Sequence, residues 1–373
     1  MGGVSVLLET ILSKIDKKKF QIDVLILHNN GEMLKNLDSN INVIHGTPYF
    51  GAVDYPISDI VKKKNILLLI RKLRVVFGMK TGLIKRKIKK ERKKILKNHY
   101  DVEVAFKDGF TALFTAYGDS KKKIHWLHYE YEKTNPNGKY PKLFMDALPR
   151  FDKIVAVSKR VMDCFNKIYH QDDKTIVINN IVDSEKIREK SNEIILEKND
   201  SKKINFISVG RLSKEKGYDR LIEAISRLKN RLSNCCFKIY GSGNELENLE
   251  ALVKSYKLEN IVLFKGQTFN PYPFIKDSDV FILSSFYEAF GLVIIESMSL
   301  GVPVIATANS ATSELIKNDF NGLVVDNSVD WLYTGIKEII EHPEKIEMMK
   351  KNLIRYSYPT LEIINKIENL LEE

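Results

Sequence analysis

Residues Phe281–Thr307 read FILSSFYEAFGLVIIESMSLGVPVIAT. An apolar run, a polar loop, an apolar helical run, a Gly turn and a second apolar run follow one another. That order predicts strand, loop, helix, turn, strand, the unit from which parallel sheets are built. Glu288 falls in the loop after the first strand, and Glu296 falls eight residues later inside the helix. Between them, Phe290-Gly291-Leu292 stand at the helix start, where backbone N–H groups lack intrahelical partners. Such a terminus attracts phosphate and other anions, and Gly291 lets a ligand approach the backbone. One carboxylate near the anion site and one deeper suit the hydroxyls of a sugar and a ribose. Taken alone, Glu288 reads more simply as a helix N-terminal acid and Glu296 as a surface residue.

The same alternation runs outward in both directions. The first half has predicted strands at Gln21–Leu27, Asn42–His45, Val102–Phe106, Lys123–Tyr129, Lys153–Val157 and Thr175–Ile178. The second half has them at Ile204–Val209, Phe237–Tyr240, Ile261–Phe264, Val280–Leu283, Pro303–Ala306 and Leu323–Val325. Short apolar runs without strict alternation fit strands buried on both faces. Strands alternating with helical segments predict parallel sheets with right-handed crossovers. The fold class is therefore α/β, with two doubly wound domains. The expected organisation is an N-terminal domain at 1–183, a polar connector at 184–203, a C-terminal domain at 204–358 and a final helix at 359–373. In that helix Leu361, Ile364, Ile367 and Leu371 fall on one face, so it should pack.

A second segment, ISVGRLSKEKGYDRLIEAI at Ile207–Ile225, carries further chemistry. A strand ends at Gly210, and Arg211 and Lys216 follow in a polar loop. In open α/β sheets, ligands bind at the carboxyl ends of the strands. Arg suits a bidentate phosphate contact and Lys a point charge. Alone, the loop reads as a solvated one with ion pairs to Glu215 or Asp219.

Together these segments resemble the retaining nucleotide-sugar glycosyltransferases of glycosyltransferase family 4, and the resemblance covers nearly the whole chain. It rests on VGRLSKEKG at Val209–Gly217, IYGSGNELE at Ile239–Glu247 with Leu249–Glu250 following, GQTFNPY at Gly266–Tyr272 and the E-x7-E from Glu288 to Glu296. The resemblance implies the GT-B fold, two Rossmann-like domains facing a cleft, with the C-terminal helix crossing back to the N-domain. It implies that Arg211 and Lys216 bind the donor diphosphate together with Gly291 and Leu292. Glu288, Phe290 and Gly291 would meet the donor sugar, with Glu288 in a catalytic role, and Glu296 the ribose. Gly241 and Gly243 would keep the donor cleft open, and Thr268 is a candidate for the base. KIHWLHYEY resembles the strand that brings an active-site histidine to the cleft, which points to His128 as a second catalytic residue. Its expected role is to position or polarise the donor sugar.

The sequence departs from the family at three places. The family begins with a buried strand, a Gly-rich loop and a helix, but this sequence opens on the loop, with Gly2 and Gly3 as candidate acceptor or phosphate contacts. A late start, a truncated gene start or a replacement element would explain the missing strand. A missing central strand would leave an unpaired edge inside the sheet. Ala289 stands where the family often has Gly, and Ala308–Thr312 replaces a Gly-containing loop.

Other motifs point elsewhere and fail. Asp277-Ser278-Asp279 is a D-x-D, but it lies at a helix end just before a strand and reads as a cap, so no metal and no other cofactor is expected. A P-loop and an H-E-x-x-H are absent, and Gly241-Ser242-Gly243 lacks the third glycine of a dinucleotide fingerprint. The three cysteines suit a reducing cytosol. No apolar run reaches the length of a membrane span, and the N-terminus lacks the regions of a signal peptide.

The 373 residues carry a net charge of +11, and that charge is concentrated. Residues 1–203 hold 40 Lys/Arg and 25 Asp/Glu, whereas Val61–Asn98 alone holds 16 Lys/Arg and one acid. Within it Ile66, Leu69, Ile70, Leu73 and Phe77 share a helical face, and LIKRKIKKERKKILKNH follows. Basic amphipathic helices bind anionic membrane surfaces. The expected contacts are Lys85, Arg86, Lys87, Lys89, Lys90, Arg92, Lys93 and Lys94, with a face packed on the N-domain as the alternative. Nothing supports nucleic acid as a partner.

The expected activity is transfer of a sugar from a nucleotide-sugar, first of all a UDP-sugar, to a lipid-linked or other saccharide acceptor in surface polysaccharide assembly. It would be retaining and metal-independent, at the cytoplasmic face of a membrane. The alternatives are a nucleotide-sugar epimerase of the same fold and a non-enzymatic protein of anionic membranes.

Overall fold

The computed structural model describes residues 3–27, 37–38, 40–53, 55, 57–62, 64–132 and 141–373. It divides into two compact units, 1–181 with 361–373, and 182–360.

In the first unit the elements are α1 (Gly3–Lys14), β1 (Asp23–Ile26), β2 (Asn42–His45), α2 (Ile57–Lys62), α3 (Ile66–Thr81), α4 (Ile84–Ile95), β3 (Val102–Ala105), α5 (Phe110–Ala116), β4 (Lys122–Leu127), α6 (Pro141–Met145), β5 (Lys153–Ala156), α7 (Lys159–Tyr169) and β6 (Thr175–Val177). The second unit holds α8 (Ser184–Lys190), β7 (Ile204–Val209), α9 (Tyr218–Arg227), β8 (Cys235–Tyr240), α10 (Leu246–Ser255), β9 (Val262–Gly266), α11 (Tyr272–Lys276), β10 (Val280–Leu283), α12 (Leu292–Ser299), β11 (Val304–Thr307), α13 (Ser310–Leu315), β12 (Gly322–Val325), α14 (Val329–Glu341) and α15 (Glu344–Leu353). The last helix, α16 (Thr360–Glu372), counts almost entirely with the first unit. Every expected strand exists, within two residues at each end.

The second unit is a six-stranded parallel sheet in the order β12-β11-β10-β7-β8-β9. The chain builds outward from β7 through β8 to β9, then returns to β10 on the other side of β7. The gap between β7 and β10 is thus the topological switch point, where ligands of such sheets bind. All residues of β8 and β10 are buried, as fully covered parallel strands should be. Phe206 and Phe237 stack across β7 and β8 with ring centroids 4.4 Å apart.

The first unit splits its strands into a four-stranded sheet, β3-β4-β5-β6, and a separate pair, β1-β2. Among the described residues, β1 pairs only with β2 and β3 only with β4. Among the described residues the strands of the first unit thus form a divided sheet. The Tyr100 hydroxyl donates to Asp23 Oδ2 at 2.6 Å and ties the start of one sheet to the other. All four residues of β1 are only half-buried.

Two expectations are corrected, at Gly3 and in α16. Gly3 is the first residue of α1 and not part of a loop; Gly2 lies outside the described residues. The connector is helical at its start: Ser184–Lys190 is helix, capped by the Asp183 side chain. Arg188 Nε donates to Ser299 O at 3.1 Å, which fixes α8 to α12 within the second unit. In α16 the buried face is Ile363, Ile364, Ile367, Glu368 and Leu370, while Leu361 points outward. Glu368 reaches the end of α1, where its Oε1 accepts the Asp16 N–H at 2.8 Å.

Candidate active site

Strand β7 ends at Val209 and β10 at Leu283, side by side, so their following loops meet at the switch point. Lys216 comes from the first loop and Glu288 from the second. Lys216 Nζ lies 2.6 Å from Glu288 Oε1, and Ser285 Oγ donates to the same oxygen at 2.7 Å. The Lys216 carbonyl accepts Ser284 Oγ at 2.8 Å, and Phe286 N–H donates to Glu215 O at 2.9 Å. The two loops are therefore stitched together through backbone and side chains. Gly217, at φ +63°, makes this close approach possible: a Cβ there would stand 2.4 Å from Ser284 O. Arg211 is exposed beside this pair, its Nη1 3.8 Å from Glu215 Oε1.

The helix start expected near Gly291 is present. Gly291 is the N-cap of α12 in the left-handed conformation, at φ +75°, and Leu292 is the first helical residue. Phe290 is buried. The first-turn amides of an eight-residue helix thus begin four residues after Glu288. Glu296 lies on α12, where Tyr272 Oη donates to its Oε1 at 3.4 Å. Desolvation pushes its carboxyl up to about 7, against a smaller opposing effect of Tyr272. That carboxyl changes charge near neutrality, as functional-site groups often do.

On the β8 side, Gly241 and Gly243 have a structural reason to be glycine. A Cβ on Gly241 would fall 1.8 Å from Gly210 O and one on Gly243 2.0 Å from Leu212 O. The backbone after β8 therefore lies against the backbone after β7, at the rim of the switch point. Thr268 closes a turn with its Oγ1, which donates to Asn270 O at 3.1 Å. Asp277 and Asp279 are spent on structure: Asn199 N–H donates to Asp277 Oδ2 at 2.7 Å, and Asn205 N–H to Asp279 Oδ2 at 2.9 Å.

His128 belongs to the first unit, just past β4, and is buried. Its ring packs on Phe106 with centroids 4.9 Å apart. Burial pushes its pKa down to about 4, and nearby His125 adds to this against the opposing pull of Asp108. It is a neutral imidazole at physiological pH, suited to hydrogen bonds with uncharged hydroxyls. His125 is fully buried, stacked on Phe151 and 3.2 Å from Asp108 Oδ1. Tyr131 Oη donates to Asp108 Oδ1.

Residues 188–355 match the family described as Glycosyl transferases group 1. That match spans nearly all of the second unit. An uncharacterised glycosyltransferase of Methanocaldococcus jannaschii is 28% identical over 63% of this chain and 59% of its own length. The Campylobacter jejuni N-acetylgalactosamine-N,N'-diacetylbacillosaminyl-diphospho-undecaprenol 4-alpha-N-acetylgalactosaminyltransferase is 32% identical over 60% of each chain. The chain thus spans about three-fifths of the length of these two relatives. Among solved structures, Anabaena HepE in complex with UDP and glucose aligns over 100% of this chain and 96% of its own, with TM-score 0.72 and 19% identity. That likeness gives the fold, which is GT-B, with two Rossmann-like units.

Within the second unit, the sequence reading missed Arg220. Its Nη2 donates to Ser284 O at 2.6 Å and its Nη1 to Asn327 Oδ1 at 2.6 Å. The guanidinium sits 3.6 Å over the Phe286 ring. Thr307 Oγ1 donates to Ser285 O at 2.6 Å, and Asn327 Nδ2 to Phe286 O at 2.8 Å. The loop that carries Glu288 is clamped from α9, β11 and the start of α14. No spacing marks Arg220 in the sequence, because α9 buries residues on most of its circumference. Downstream, Asn309 replaces glycine chemistry with a capping box: Thr312 N–H donates to its Oδ1 at 3.2 Å, and its own N–H to Thr312 Oγ1 at 2.9 Å.

The eight basic residues of the α4 segment divide. Arg92 is buried, with Nη2 2.5 Å from Glu103 Oε1, which corrects its place as a membrane contact: it is an internal ion pair. Lys87 and Lys94 each lie 2.8 Å from the buried Glu91. Burial alone would push the Glu91 carboxyl up, but hydrogen bonds from these two lysines overcome it and hold it down at about 2. Lys85 pairs with Asp146 at 2.9 Å. Arg86, Lys89, Lys90 and Lys93 are exposed.

Proposed function

We propose that the chain is a retaining glycosyltransferase that moves a hexosyl group from a nucleotide-sugar, first of all a UDP-sugar, to a lipid-linked or other saccharide acceptor in glycan assembly. The observation that carries this reading is the Lys216–Glu288 pair at the switch point, beside the first turn of α12. It supplies a cation and a helix N-terminus for a diphosphate and a carboxylate for sugar hydroxyls. Arg211, exposed beside it, adds a guanidinium for the same diphosphate. Glu296 takes the ribose, and the glycine-lined rim at Gly241 and Gly243, with Thr268, borders the base. The UDP and glucose held by Anabaena HepE and the diphospho-undecaprenol-linked substrate named for the Campylobacter relative support the choice of donor and acceptor.

Retention follows from a substitution on one face. The acceptor oxygen attacks the anomeric carbon from the side on which the diphosphate departs. The bond from that carbon to the phosphate oxygen breaks, and the acceptor proton passes to that oxygen. Arg211, Lys216 and the amides of Gly291 and Leu292 stabilise the charge that develops on the leaving diphosphate. With that much positive potential from the chain itself, the reaction is assigned no metal. Neutral His128 positions a donor hydroxyl. The buried thiols Cys164, Cys235 and Cys236 fit a cytoplasmic protein, one that meets a lipid-linked acceptor at the inner membrane face.

The test is transfer by purified chain with a working donor and acceptor pair. Arg211→Ala and Glu288→Ala are each expected to lose transfer by at least about a hundredfold. Full transfer by both variants overturns the reading.

A further inference from the structure

The four apolar residues Ile66, Ile70, Leu73 and Phe77 do not pack inward. Their exposures are 73%, 42%, 52% and 61%. At 3.6 residues per turn they fall within an arc of about 60°, while the opposite side of α3 buries Val75 and Gly78. On α2, Ile57 and Val61 are exposed as well. A continuous apolar stripe turned to solvent marks an interaction surface.

The charge around the stripe selects what covers it. From Ile66 to Ile95 the chain has twelve Lys/Arg and one acid, Glu91, and that acid is already held by Lys87 and Lys94. Arg74 and Lys80 flank the stripe on either side and are exposed. On α4, Ile84 and Ile88 are fully buried, so α4 packs its own apolar face inward and presents only cations. The two helices thus divide the work: α3 carries exposed apolar side chains and α4 carries charge. A second copy would bring like charge against like charge. No described helix is long and apolar enough to cross a membrane, so a helix of this kind would lie in the interface.

We propose that the outward face of α2 and α3, with the exposed cations of α4, docks on an anionic lipid bilayer. Ile66, Ile70, Leu73 and Phe77 enter the boundary between headgroups and acyl chains, and Arg74, Lys80, Arg86, Lys89, Lys90 and Lys93 meet the anionic headgroups. This goes beyond the transfer reaction and does not depend on it, since vesicle binding is read without donor or acceptor.

The test is sedimentation of the full chain with vesicles of phosphatidylcholine alone or mixed with an equal part of phosphatidylglycerol. The chain is expected to bind the mixed vesicles and not the neutral ones, and to release as salt rises. Leu73→Glu with Phe77→Glu should weaken partitioning by roughly a hundredfold, and Lys89→Glu with Lys90→Glu by about tenfold or more. All these positions are exposed, and circular dichroism with thermal unfolding checks that the variants fold. Failure of the wild-type chain to bind mixed vesicles at low salt overturns the proposal. So does unaltered binding by either pair of variants. A dimer that Leu73→Glu with Phe77→Glu converts to monomer, without vesicle binding, would instead give the face to a second copy.

Discussion

Lys216 Nζ and Glu288 Oε1 lie 2.6 Å apart although 72 residues separate them in sequence. Their side chains are 26% and 15% exposed, enough enclosure for the pairing to matter and enough opening for a ligand to enter. Removing one partner leaves the other charge poorly solvated. Lys216→Ala should cost the second unit about 1–2 kcal/mol, after discounting for solvent. It should also weaken UDP-glucose binding by about 10–100-fold. Glu288→Gln should keep most of that binding but lower the transfer rate. Denaturant unfolding and calorimetric titration check the first variant, and kcat against KM the second.

Glu296 predicts a pH dependence. Its folded-state value of about 7 lies above the ordinary 4.5, so the folded chain holds this proton where the unfolded chain has lost it. This group's contribution to stability is therefore highest below about pH 4.5, falls as pH rises towards 7, and is flat above that. The whole fall amounts to at most about 3 kcal/mol. Donor binding runs the other way, because ribose hydroxyls donate to the ionised carboxylate. UDP-glucose affinity should rise by about tenfold from pH 6 to pH 8. Glu296→Gln should flatten both profiles, and an unchanged affinity profile in that variant would remove Glu296 from the ribose site.

Gly241 and Gly217 carry no charge, yet the site depends on both. A Cβ at Gly241 would stand 1.8 Å from Gly210 O, and one at Gly217 2.4 Å from Ser284 O. Gly241→Ala and Gly217→Ala should each destabilise the second unit by about 1–3 kcal/mol. Both should also lose donor affinity, because the loops bearing Arg211 and Lys216 must move. Thermal unfolding with and without UDP-glucose separates the two effects.

Arg220 holds Asn327 and, in the loop before Glu288, the Ser284 carbonyl and the Phe286 ring. Arg220→Lys loses the two-pronged contact with Ser284 and Asn327. The expected result is a lower kcat with a smaller change in UDP-glucose affinity, together with a lower unfolding midpoint. Steady-state kinetics and denaturant unfolding read both.

The divided sheet of the first unit predicts uneven protection. The β1-β2 pair is half-buried and short, and two-stranded sheets are marginal by themselves. Its amides should exchange with solvent at least about a hundredfold faster than those of β8 and β10. Hydrogen exchange followed by mass spectrometry measures this directly.

The sequence made the strands legible for a physical reason. Strands covered on both faces, such as Val280–Leu283, are apolar throughout, so they stand out as runs. The residues of the candidate site follow two such strands directly, Arg211 and Lys216 after one and Glu288 after another, so the sequence alone singles out those loops. The rest depends on facing, which periodicity does not contain. Ile66, Ile70, Leu73 and Phe77 share a face by spacing alone, but only the packing of Val75 and Gly78 turns that face outward. Arg92 looks like its lysine neighbours until Glu103, eleven residues on, is folded against it. Leu361 fits the α16 stripe by spacing, yet the turn rotates that stripe onto Ile363 and Leu370. Ser184–Lys190 reads as a polar connector because its anchors to α12 are Arg188 and Ser184, not apolar residues.

The central claim is a nucleotide-sugar site at the switch point of the second unit. Titration calorimetry of the full chain with UDP-, GDP- and ADP-sugars, repeated for Arg211→Ala with Lys216→Ala, tests it most directly. The account predicts that at least one of these donors, first of all a UDP-sugar, binds the wild-type chain and that the double variant loses that binding by about a hundredfold or more. No binding of any of the three donor classes, or equal binding by the double variant, would contradict it.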